Sequence, residues 1–129
     1  MNRMFLGALF FFALIPPCVA GTVTPEDFTV KTTQDLVDLC TVSSDDPKAE
    51  AAIHFCHGYL VGAFHYHLAE SAGPEGAERL VCLPNPPPSR NDAIEMFIKW
   101  VKARPQYMGE VPVETEFRFL IEKWPCRNK

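Results

Sequence analysis

Four cysteines, Cys40, Cys56, Cys82 and Cys126, restrict the fold of this chain more than any other feature, because they stand behind a leader that directs them to an oxidising compartment. Arg3 supplies a positive start, Met4 to Ile15 is an uncharged apolar run with four Phe, and Pro16-Pro17 breaks that run before Cys18, Val19, Ala20 and Gly21. Positive, apolar and then small is the order of a secretory signal peptide, here residues 1–20 with cleavage after Ala20. The run is about a dozen residues, short of the roughly 20 that a membrane-crossing helix needs. Ile15-Pro16-Pro17 is a poor context for lipid attachment at Cys18. Cleavage removes Cys18 and leaves an even number, which in a small exported domain reads as two disulfides and a periplasmic location.

The mature chain, residues 21–129, is 109 residues long and has room for one domain. With 47% hydrophobic and 22% charged residues the full 129-residue chain has the composition of a folded protein rather than a disordered one. The leader's only charge is Arg3, so a net charge of −4 becomes −5 on its removal. A sequence-independent nucleic-acid binder needs a basic surface to neutralise phosphates, so that class is set aside.

Helical spacing predicts four helices and no strand pattern of any length, an all-α bundle. Thr32-Thr33-Gln34-Asp35 offers an N-cap and a first-turn acid for a helix over 33–41, with Leu36, Val37, Leu39 and Cys40 as its apolar face. Asp46 and Pro47 open a second helix that runs to about Ser71, since Asp46 caps free amides and Pro suits the first helical position. On its wheel Ile53, Cys56, Tyr59, Leu60, Ala63, Phe64 and His67 gather on one side. Gly58 and Gly62 flank that side; each costs about 1 kcal/mol relative to Ala, which predicts close approach of another backbone or a bulky ring. Residues 72–90 hold two Gly and five Pro and form a loop. Ser89 with Asp92 opens a third helix that carries Ala93, Ile94, Phe97, Ile98, Trp100 and Val101 and ends before Pro105. Pro112 opens a fourth, with Val113, Phe117, Leu120, Ile121 and Trp124 as its stripe and Pro125 as its stop.

Four cysteines allow three pairings. Antiparallel packing of the third and fourth helices would bring the start of one near the end of the other, which favours Cys82 with Cys126 and leaves the other pairings open. No cysteine sits in a C-x2-C or H-x3-H spacing of the kind that holds structural zinc.

Catalytic signatures are missing: there is no G-x-S-x-G elbow, phosphate-cradling Gly loop, H-E-x-x-H motif or EF-hand loop. Cys56 and His57 are adjacent, but neighbours on a helix point about 100° apart and an oxidised Cys56 is no nucleophile. No enzyme activity and no cofactor are expected. All four histidines fall within 14 residues of the second helix, and His54, His57 and His65 share a face. His54 and His57 are three apart, a spacing at which two imidazoles can converge on one metal; pH-sensitive charging of the face is a stronger expectation than a metal, and a polar helix face that happens to use histidine is the plain alternative to both. His67 is expected at the edge of the core, held by a hydrogen bond. Glu70, Glu75 and Glu78 flank a loop without the paired spacing of an acid and a base, and read as solvated surface.

Read in order, Leu36-x-x-Leu39-Cys40, Phe55-Cys56-His57-Gly58-Tyr59-Leu60-Val61-Gly62, Cys82-Leu83-Pro84, Arg104-Pro105, Phe119-Leu120 and Trp124-Pro125-Cys126 resemble the Rap/Tai family of small periplasmic immunity proteins. The likeness spans about residues 32–126. It implies an exported all-helical protein, often a homodimer, that binds and blocks peptidoglycan amidase effectors delivered by type VI secretion. It implies scaffold roles for Cys40, Cys56, Cys82 and Cys126 as structural thiols and for Gly58, Tyr59 and Gly62 as packing residues. The alternative is an acid-stress chaperone similar to the HdeA-type periplasmic proteins, motivated by the histidine face and expected to loosen at low pH.

Overall fold

The computed structural model describes residues 22–126, so the leader assigned to residues 1–20 lies outside the described residues. Within them the chain forms four helices, α1 (Thr33–Cys40), α2 (Ala49–Glu70), α3 (Arg90–Lys102) and α4 (Pro112–Lys123), with short 3₁₀ turns at Asp27–Thr29 and Pro105–Tyr107. The all-α bundle expected from the helical spacing is what forms.

The starts of the helices follow local chemistry. Thr32 caps α1 in a full capping box: its side chain accepts from the Asp35 amide while the Asp35 carboxylate accepts from the Thr32 amide at 2.9 Å. Ser89 caps α3 by accepting from the Asp92 amide, and Pro112 occupies the first turn of α4. The expected start of α2 shifts. Asp46 spends its carboxylate on the Lys48 amide at 2.7 Å and the Val23 amide at 3.0 Å, so a turn precedes the helix, which begins at Ala49 without a side-chain cap.

At 22 residues α2 is about 33 Å long and forms the spine of the bundle. The core gathers Leu36, Val37 and Leu39 of α1, Cys56 and Leu60 of α2, and Phe97 and Phe119 of α3 and α4, all nearly or fully buried. Removal of this apolar surface from water is the main force that assembles the helices. A polar link crosses the core: the Thr33 hydroxyl lies 2.8 Å from that of Thr115 and 3.0 Å from the Glu110 carbonyl, which satisfies groups that burial would otherwise penalise.

Two disulfides clamp this arrangement. Cys40–Cys56 joins the end of α1 to α2, and Cys82–Cys126 joins the long loop to the segment after α4. Beside the second, the Cys82 amide donates to the Trp124 carbonyl at 2.9 Å and the Cys126 amide to the Leu80 carbonyl at 3.1 Å, around an antiparallel bridge of Val81 with Pro125. The favoured pairing of Cys82 with Cys126 is the one formed.

The face of α4 differs from the expected stripe. Val113 and Ile121 are exposed, whereas Pro112, Thr115, Glu116, Phe119 and Leu120 are buried. The helix is turned by roughly the 100° that one residue spans, which lets Thr115 reach Thr33 and carries Glu116 inside.

Candidate functional site

Between α2, α3, α4 and the Pro-rich loop lies a cleft of about 290 Å³. Its walls are apolar, with Leu60 and Phe64 from α2, Ile94 and Phe97 from α3, and Phe119 and Leu120 from α4. Pro87 and Pro88 close one side, placed there by a loop that the Cys82–Cys126 disulfide holds against α4.

Glu116 lines this cleft and is 3% exposed. Its Oε2 is buried with no hydrogen-bond partner. Loss of solvation pushes its carboxyl up to about 9, so the side chain is a neutral acid at neutral pH. The nearby Tyr59 phenol is also raised, first by burial and then by the negative field of an ionised Glu116. Sequence reasoning missed Glu116. The available signal was its phase: it sits four residues after Pro112 and four before Leu120, on the side that is buried.

The histidines separate. His54 is exposed, with Nε2 at 3.8 Å from Glu50; His57 is half-buried; His65 lines the cleft. His67 is buried, accepting the Leu80 amide at Nε2 with its ring edge-on to Phe117, the core-edge role expected of it. Among the described residues no group of three or more His, Cys, Asp or Glu is placed to hold a metal ion.

The outer side of α2 forms a second surface. Apolar residues surround this helix rather than keeping to one stripe, and Phe55 and Tyr66 are exposed with Gly58 and Gly62 between them. The close approach expected at the two glycines is not made within the described chain, since a Cβ at either would meet nothing within 4 Å. Both point away from the bundle, while half-buried Tyr59 packs onto the core. Phe28 covers part of Phe55 edge-on at 5.6 Å. No helix among the described residues is long and apolar enough to cross a membrane.

Fold and disulfides together define a small cross-linked helical domain with exposed aromatic residues along α2. The family model of the Rap1a immunity proteins matches residues 32–126, and the chain belongs to that family. Neither a curated protein nor a solved structure matches it.

Proposed function

We propose that the mature domain, residues 21–129, acts in the periplasm as an immunity protein that binds and blocks a peptidoglycan amidase effector delivered by a type VI secretion system. Membership of the Rap1a immunity proteins over residues 32–126 is the observation that carries this function. Two disulfides suit an oxidising compartment and keep the domain rigid. Rigidity favours inhibition, because a preorganised surface loses little entropy on docking. An acidic domain also meets a basic partner faster than a neutral one would.

The outer side of α2 supplies the surface for protein contact, either with the effector or with a second copy in a homodimer. Bare glycines let a partner's backbone come close, and Phe55 and Tyr66 offer the aromatic area that interfaces favour. No catalytic residue and no cofactor enters this function. The direct test is to export a cell-wall amidase to the periplasm with and without this protein. Rescue of growth with a stable complex at neutral pH supports immunity, whereas client capture only in acid would favour the chaperone alternative.

A further inference from the structure

The docking face proposed on α2 makes no use of the cleft beside Glu116, which has the make-up of a ligand site. Pockets for small molecules are mostly apolar with a few placed polar groups. An engineered apolar cavity of about 150 Å³ admits benzene, so a cleft of about 290 Å³ has room for roughly twice that bulk. Its polar groups are few: Glu116 within, and His65, Ser89, Arg90 and Trp124 as the other lining residues with polar side-chain atoms.

Glu116 and Arg90 narrow the ligand. The buried Oε2 of Glu116 lacks a partner, and water is a poor substitute, because a trapped water needs two to four polar neighbours and the walls around Glu116 are hydrocarbon. A plain hydrocarbon would leave the Glu116 carboxyl that lines the cleft without a partner there, so the ligand carries its own oxygen for it. Arg90 is exposed, makes no ion pair among the described residues and stands in the first turn of α3, where the helix dipole also favours negative charge. Asp92 in the same turn is occupied with the Ser89 hydroxyl at 2.6 Å. Arg90 therefore selects an anionic head and opposes an ammonium.

We propose that this cleft binds a fatty-acid-like amphiphile of medium chain length that bears a hydroxyl or carbonyl oxygen along its chain. The chain fills the apolar cleft, the extra oxygen hydrogen-bonds to the Glu116 carboxyl, and the carboxylate pairs with Arg90.

Calorimetric titration of the oxidised protein, purified after export, with decanoate, with hydroxydecanoates carrying the hydroxyl at successive carbons, and with decylammonium tests this directly. One hydroxylated isomer is expected to bind about tenfold tighter than decanoate, the worth of one well-made hydrogen bond. Glu116→Leu, which replaces an unpaired buried acid by hydrocarbon and keeps the fold, should bring that isomer to parity with decanoate, while Glu116→Gln retains the preference. Arg90→Gln should weaken every acid in the series. The proposal is overturned if no acid saturates the protein, if no isomer exceeds decanoate, if decylammonium binds more tightly than the acids, or if Glu116→Leu keeps the preference.

Discussion

The imidazole Nε2 of His67 accepts the backbone amide of Leu80 at 3.2 Å, tying the last turns of α2 to the middle of the long loop. That bond and the Cys82–Cys126 disulfide hold the loop within a few residues of each other. His67→Leu keeps the contact with Phe117 but leaves the Leu80 amide without its acceptor. The expected cost is about 1 kcal/mol, with faster hydrogen exchange at Leu80 and its neighbours and unchanged exchange in α1. Unaltered exchange at Leu80 would show that the bond does not hold the loop.

The two disulfides should differ in worth because they close loops of different length. Chain-entropy reasoning gives about 4 kcal/mol for Cys82–Cys126, which spans 44 residues, and about 3 kcal/mol for Cys40–Cys56, which spans 16. Urea denaturation of the Cys82→Ala/Cys126→Ala double variant should show a loss of that order. The same variant frees Leu83, Pro87 and Pro88, so the cleft should lose its wall even where the bundle survives.

Glu116 makes the protein more stable in mild acid than at neutral pH. Its folded carboxyl is raised from 4.5 to about 9, so the folded state holds a proton that the unfolded chain releases between those values. Its favourable contribution is complete below about pH 4.5 and is lost as pH rises toward 9. At about 1.4 kcal/mol per pH unit, roughly 3 kcal/mol is gone by pH 7. Glu116→Gln should remove this slope and raise stability at pH 7 and above, as read from denaturant midpoints across pH.

If the outer side of α2 is the docking face, substitutions at Gly58 and Gly62 separate folding from docking. A Cβ at either position meets nothing within 4 Å, so Gly58→Ala and Gly62→Ala should each stabilise α2 by about 1 kcal/mol. Gly58→Arg should fold as well as the parent yet abolish complex formation, because the long side chain blocks the face. Retained partner binding by Gly58→Arg would move the contact surface elsewhere.

Much of the fold was legible because its signals are local. Thr32 with Asp35, Ser89 with Asp92 and Pro112 mark helix starts through chemistry that acts within one turn. The Cys82–Cys126 pairing followed from the antiparallel order of α3 and α4. What escaped depends on contacts far apart in the chain. The rotation of α4 is set by Thr115 meeting Thr33, 82 residues away, and apolar side chains at Val113 and Ile121 made the wrong face look like the core. Asp46 met Val23 as well as Lys48, which delayed α2 in a way that helix propensity alone does not encode. Glu116 was passed over because a carboxylate in an amphipathic helix is ordinarily solvated, and its burial appears only once three helices surround it. The spacing of the glycines predicts close packing, but a Cβ at either would meet nothing within 4 Å in the described chain.

As proposed, this member of the Rap1a immunity proteins neutralises a cell-wall amidase by binding it. The measurement that tests this is the activity of a candidate cell-wall amidase on purified peptidoglycan, titrated with the oxidised mature domain. Stoichiometric loss of hydrolysis, abolished by Gly58→Arg in the same fold, is the predicted result. Undiminished hydrolysis at a large excess of the folded domain would contradict the claim.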